Sequence, residues 1–402
     1  MRCVTWTAVV VVGLALAGCG RSNGRAIRAE PPPPPRLTVA QVAEAIPAKV
    51  SERRAWAQAV INALDAIGQT PAREPVCAVL AVIEQESGFV ANPVVANLAE
   101  IVETKLDELA RKGGPFGRPA LDRILHSKAD GHSQSFATRL KSVRTERDLD
   151  LVFRDIVAYY RSRYPRTVAT AEIAGALFSG TEIDDFNPIT TAGSMQVSVR
   201  FAAELGRRRG LSREQVRDLL YTRAGGVELG TARLFAHDAG YDRYLYRFAD
   251  YNAGVYASRN AALQQQVAAL VGTELVLDGD LLAYDSAGNV LDRQTRSLAA
   301  LLAFRSSFAP HLSEREVRRD ARKEKLLDLE ATETWRAIKR VFHNRQGVAP
   351  AYACVPELTL HSPKLSRKRT TAWFAQNVDR RFQTCLTKLR SNDNRSKKAA
   401  GG

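Results

Sequence analysis

Pro75-Val76-Cys77-Ala78-Val79-Leu80-Ala81-Val82-Ile83-Glu84-Gln85-Glu86-Ser87-Gly88-Phe89 is the stretch on which the reading of the chain turns. Every residue from Val76 to Ile83 is apolar, and a helix without a polar face is a buried one. Pro75 suits the first helical turn, where its missing N–H costs nothing. Gly88 suits the position just past the end. The segment therefore reads as a buried helix whose C-terminal end carries Glu84 and Glu86. A carboxyl group there is expensive to ionise, because desolvation disfavours the charged form. An acid held neutral near pH 7 is what a general acid needs. Residues two apart on a helix point roughly 200° away from each other, so the two glutamates take different faces. Val79 and Ile83 lie on the Glu86 side, Val76 and Leu80 on the Glu84 side, and periodicity does not choose between them. The plainer alternative is an exposed helix end with two solvated glutamates.

The rest of the chain bounds what such a helix can serve. It has 402 residues, 45% hydrophobic and 25% charged, enough for a sizeable core and more than one domain. The net charge is +15 and the pI about 9.8. A basic balance speaks to partners rather than to fold, and the anionic candidates are nucleic acid, a membrane surface and a cell-wall polymer. Met1-Arg2 and the apolar stretch from Val4 to Leu16 form a leader too short for an ordinary membrane span.

Leu16-Ala17-Gly18-Cys19 resembles the lipobox of bacterial lipoproteins. That resemblance implies removal of residues 1–18 and lipidation of Cys19. With Gly20 in place of a retention aspartate, it also implies anchoring by the N-terminal lipid on the periplasmic face of the outer membrane. An exported lipoprotein meets no nucleic acid, and that partner is set aside. Residues 19–36 read as a tether, extended through Pro31–Pro35. Cys354 and Cys385 are candidates to pair in an oxidising compartment, while Cys77 within the apolar helix reads as a small hydrophobe.

Two further motifs follow the helix. Ala192-Gly193-Ser194-Met195-Gln196 lies in the segment from Phe186 to Ser198, and Ala249-Asp250-Tyr251-Asn252-Ala253-Gly254 closes an aromatic helical stretch from Tyr241 to Phe248. Glu86-Ser87-x-Phe89, Gly193-x-Met195-Gln196 and Tyr251-Asn252-Ala253-Gly254, in this order, resemble the three motifs of the soluble-type lytic transglycosylases and the goose-type lysozyme-like superfamily. The resemblance covers roughly residues 75–271 and extends to the small-residue helix Val227–Leu234. Each motif also has a structural reading: Met195 as core filler, and Asn252 with Gly254 as a helix cap.

The resemblance implies a mainly α fold, with a lysozyme-like catalytic domain over residues 37–271. A long helical insertion at about 94–180 departs from the compact family pattern. A small β-hairpin at 274–291, turning at Ser286–Asn289, and helices at 297–308 and 314–342 fill a helical C-terminal region at 272–390. A disordered basic tail over 391–402 ends the chain. The implied substrate is the peptidoglycan glycan strand. Glu86 is the implied catalytic acid and Tyr251 its orienting partner. Ser87, Met195, Gln196 and Asn252 line or bind the sugar site. Glu182, Asp184 and Asp185 are candidates to hold a water and make the enzyme a muramidase. A non-catalytic wall-binding lipoprotein on the same fold is the remaining alternative. His126, His132, His237, His311, His343 and His361 show no metal-ligand spacing on one helix face. No metal or other cofactor is expected, and the sequence names no protein partner.

Overall fold

The computed structural model describes residues 34–112, 114–163, 187, 189–285, 288–360 and 369–400. The chain divides between Pro35 and Arg36, and the described elements lie in the second unit, Arg36–Gly402. Cys19, the expected lipidation residue, and residues 1–18 lie outside the described residues, as do Glu182, Asp184 and Asp185.

The second unit is mainly helical. Its first helices are α1 (Val39–Ala45), α2 (Arg53–Ala66) and α3 (Arg73–Glu86). The insertion supplies α4 (Leu98–Lys112), α5 (Gly114–His126), α6 (Phe136–Lys141) and α7 (Glu146–Arg163). A two-residue antiparallel pair, β1 (Thr191–Ala192) and β2 (Val197–Ser198), matches Thr191 to Ser198 and Ala192 to Val197. Then come α8 (Val199–Arg208), α9 (Arg213–Leu220), α10 (Arg223–Leu234), α11 (Tyr244–Ala253) and α12 (Ala257–Val271). The C-terminal part adds α13 (Arg296–Phe308), α14 (Glu314–Ala321), α15 (Glu333–Gln346) and α16 (Thr371–Ala400). Another short pair, β3 (Thr359–Leu360) and β4 (Arg369–Thr370), precedes α16.

α3 is the centre of the main core. Pro75 lies in its first turn, and every residue from Pro75 to Ile83 is buried. Each large aliphatic side chain placed there contributes about 1.5–3 kcal/mol. α2, α10 and α16 pack around α3. α16 does so with Phe374, Val378, Phe382, Cys385, Leu386 and Leu389, a stripe at helical spacing.

The packing does not divide at residue 271. α16 belongs to the core around α3, whereas a second cluster gathers Leu263, Val267, Leu301, Phe304, Val317, Trp335 and Ile338. The C-terminal region is thus split between the two. The disulfide expected between Cys354 and Cys385 is not formed. Cys385 bonds Cys77, 308 residues away, and Cys354 is free. The reason is that α16 lies along α3, which puts its one cysteine against the cysteine of the apolar run. Burial pushes the Cys354 thiol up to about 11, away from reactive thiolate.

Three further expectations change. The hairpin at 274–291 narrows to a reversal in which Tyr284 bridges Val290, and Leu291 donates to Ala283 O at 2.8 Å. Its first half is held by α12 instead: Gln264 accepts from Gly279 N–H at 2.9 Å and donates to Asp278 and Asp280. The single helix expected over 314–342 breaks after α14. There Glu324 turns inward to accept from Leu281, Leu282 and Tyr284, and Thr332 caps α15. The tail from 391 continues α16 as far as Ala400, since no glycine or proline interrupts it before Gly401.

Candidate functional site

The end of α3 is a tight hydrogen-bonded turn. Ser87 N–H donates to Ile83 O at 3.0 Å, and Gly88 N–H to Glu84 O at 3.3 Å. The Ser87 hydroxyl donates to Ile83 O at 3.1 Å and accepts from Val90 N–H at 3.3 Å. Ser87 therefore shapes the turn, and its hydroxyl is already engaged by the backbone. Gly88 and Phe89 have φ of +59° and +68°. Phe89 is a bulky residue in the left-handed region, an uncommon and strained choice. Its ring is buried and meets Trp56 of α2 edge-on at 5.6 Å. The motif phenylalanine thus fastens the turn that presents Glu86.

The geometry separates the two glutamates. The Glu84 carboxylate lies 4.0 Å from Arg381 Nε on α16. Glu86 lies close enough to Tyr251 for its charge to help raise the phenol pKa, after burial. Glu86 is half-buried, less enclosed than an apolar helix end alone suggests.

The second motif forms the turn between β1 and β2. A Cβ on Gly193 would meet Leu220 O at 2.0 Å, and the residue has φ of +80°, so only glycine fits there. Met195 does not line an open wall. Its side chain is fully buried, and a Cβ on Gly230 of α10 would come within 2.3 Å of its sulfur. The small-residue face of α10 exists to admit that side chain. What Met195 offers the site is its carbonyl, which accepts from the Tyr251 hydroxyl at 2.7 Å.

Gln196, with φ of +49°, is half-buried. Its Oε1 accepts from the Thr191 hydroxyl at 3.0 Å, and its Nε2 donates to Glu146 Oε2 at 3.1 Å. Its amide is held by protein groups on both sides rather than left open. Asn252, at the end of α11, is exposed and has no side-chain partner among the described residues.

Tyr251 is where the three motifs meet. Burial drives its pKa well above the ordinary phenol value, Glu86 adds to the rise, and Arg233 opposes it. The phenol stays neutral and donates to Met195 O. Its oxygen lone pairs remain able to accept a proton-bearing carboxyl group.

Sequence reasoning missed two neighbours. Arg233 puts its guanidinium 5.9 Å from the Tyr251 ring centre and donates to Asp250 O at 3.2 Å; burial lowers its pKa. It lies in the helix read only for its small residues. Glu146 begins α7 in the insertion and is 1% exposed. Thr145-x-x-Asp148 marks that helix start, with Asp148 N–H donating to the Thr145 hydroxyl and Thr145 N–H to Asp148. No local signal says that Glu146 turns inward. Asp150, fully buried, takes Arg217 at 2.8 Å and the Asn187 amide, so the insertion is built into the body. Among the described residues no group of three His, Cys, Asp or Glu could hold a metal ion.

Residues 49–388 of this helical chain match the family DUF1615, described as a protein of unknown function, and the chain belongs to that family. It is 34% identical over 379 residues to the uncharacterized protein YaiW of Escherichia coli (strain K12). That match covers 93% of this chain and 95% of the relative. No solved structure matches it significantly.

Proposed function

We propose that the chain is a membrane-anchored peptidoglycan lytic transglycosylase, with Glu86 as its single acid and base. The observation that carries the proposal is the meeting of three separate motifs at Tyr251, bonded to Met195 O and within the field of Glu86. In its protonated form Glu86 gives its proton to the glycosidic oxygen between N-acetylmuramic acid and N-acetylglucosamine, and the β-1,4 bond breaks. The muramyl C6 hydroxyl attacks the anomeric carbon and returns its proton to the Glu86 carboxylate. The products are a 1,6-anhydromuramyl end and a free 4-hydroxyl, with no water consumed. The nucleophile belongs to the substrate, so effective molarity supplies much of the acceleration, and one protein carboxyl suffices where ordinary glycosidases use two. Tyr251 orients Glu86, and exposed Asn252 is placed to meet sugar. Gln196 bonds Glu146, and Glu146 is too enclosed to hold an attacking water; Glu182, Asp184 and Asp185, the residues a hydrolase would draw on, lie outside the described residues. The anchor in this reading is lipid on Cys19; no helix among the described residues is long and apolar enough to cross a membrane.

The test uses the chain from Arg36 onward, one compact unit, with purified peptidoglycan and mass analysis of released muropeptides. Anhydro-ended products from the parent, lowered by about 10²–10⁴ in Glu86→Gln, support the proposal. Reducing-end products would make the protein a muramidase. No release, with the protein sedimenting on sacculi, would make it a binding lipoprotein.

A further inference from the structure

About two turns before Tyr251, the start of α11 borders a cavity of about 170 Å³ lined by Gln69, Phe235, Tyr241, Arg243, Tyr244 and Arg247. That is the share of several waters at roughly 30 Å³ each. Its chemistry is lopsided. Arg247 donates through one guanidinium nitrogen to Leu234 O at 3.1 Å and His237 O at 3.0 Å. The same group stacks 5.3 Å from the Phe235 ring centre. These contacts hold the cation through backbone carbonyls and a ring rather than through a carboxylate. Arg243 is exposed. Among the described residues, no carboxylate pairs with either arginine.

The carboxylates nearby are otherwise placed. Asp250 is held by Tyr241 at 2.6 Å, His237 at 2.9 Å and Ser258 N–H at 2.7 Å. Glu74, exposed in the first turn of α3, lies near Tyr244 and helps push its phenol up to about 12, after burial; it forms no ion pair with Arg243 or Arg247. Arg243 is also the N-cap of α11 and gives it no side-chain cap, so the helix adds its positive end to the same space. Tyr244, packed on Phe382 at 4.8 Å, and Phe235 supply apolar walls.

We propose that this cavity binds a small oxyanion, a carboxylate or phosphate group, whose short apolar stem lies against the aromatic walls. Two guanidinium groups and the Gln69 amide give the donors that such a group takes. Two like charges converging on one space repel each other, and a bound anion relieves that repulsion. The proposal does not depend on glycosidic chemistry at Glu86.

Calorimetric titration of the full chain at low salt, with inorganic phosphate in one arm and acetate in the other, tests it. The expected result is saturable one-site binding that weakens as salt rises and weakens at least tenfold in Arg243→Gln. Saturation in one arm alone identifies the anion, and in both arms the shared chemistry. Arg247→Gln should show the same loss, and its melting curve shows whether it has folded. Arg243, whose side chain makes no hydrogen bond or ion pair among the described residues, remains decisive if it has not. Glu86→Gln and the distant Arg315→Gln should bind as the parent does. No saturation in either arm, undiminished binding in Arg243→Gln, or loss in Glu86→Gln would overturn the proposal.

Discussion

Around α3 and α16 the interior is apolar, and its parts come from far apart in the chain. Val79, Leu80 and Ile83 share a core with Phe382 and Leu386, and Cys77 joins Cys385. Around α12 the interior is local in sequence and full of polar groups. Arg259, wholly buried, donates to Asn260, Leu326 O, Glu324 O and Glu330, and lies 4.0 Å over the Tyr256 ring centre. Asn260 reaches Gly279 O and Glu324 O. Apolar packing is non-directional and tolerates repacking; buried polar networks hold only while every member is satisfied. The candidate site lies on the apolar side, and Asp250 ties it to the polar side through Ser258 N–H. The site therefore depends on two kinds of order that fail differently.

The sharpest way to break the comparison is Arg259→Met. Leaving Glu330 and two carbonyls without their cation should cost about 3–5 kcal/mol by urea denaturation. A cost under about 1 kcal/mol would mean the polar interior is no more demanding than the apolar one. Next, Cys385→Ser should cost about 2–4 kcal/mol, while Cys354→Ser stays within about 0.5 kcal/mol; equal losses in thermal melts would contradict the observed pairing. Gly230→Ala should cost about 1–3 kcal/mol by overpacking against Met195. Under the proposed activity it should also lower muropeptide release well below the melting temperature, since it moves the carbonyl that holds Tyr251.

The smallest effect concerns Lys339 on α15, whose pKa burial lowers from 10.5 to about 8. Between those values the unfolded chain keeps a proton that the folded chain has lost, so stability rises with pH across the window. Its ammonium group is only partly enclosed, and solvent screening limits the gain to about 1–2 kcal/mol. The rise should vanish in Lys339→Met. Tyrosine ionisation is common to both proteins and cancels in the difference, so parallel pH profiles would mean that burial does not lower the Lys339 pKa.

What the sequence made readable follows the same division. An unbroken apolar run announces a buried helix, and turn glycines announce its end, so α3 and its Glu86 terminus were legible from Pro75 to Phe89. The stripe from Phe374 to Leu389 was present too. Spacing tells that a face is buried but not against what, so its place beside α3 stayed hidden, and with it the partner of Cys385. Met195 fits a wall as well as a core, and only the Gly230 contact decides. The bond from Gln196 to Glu146 crosses 50 residues and has no local signature. Glu324 looks like any helix-surface glutamate until its carboxylate is seen capping Leu281 and Leu282.

The meeting of α3 with α16 also has a temporal side. The most apolar segment of the described chain is made early, and the helix that covers one flank of it is made almost last. At roughly 5–20 residues per second, synthesis puts about 15–60 s between them. For that interval the nascent chain carries a greasy helix with a bare flank and an unmatched thiol. That flank must be shielded, or the helix must stay unformed, until the final tenth of the chain arrives.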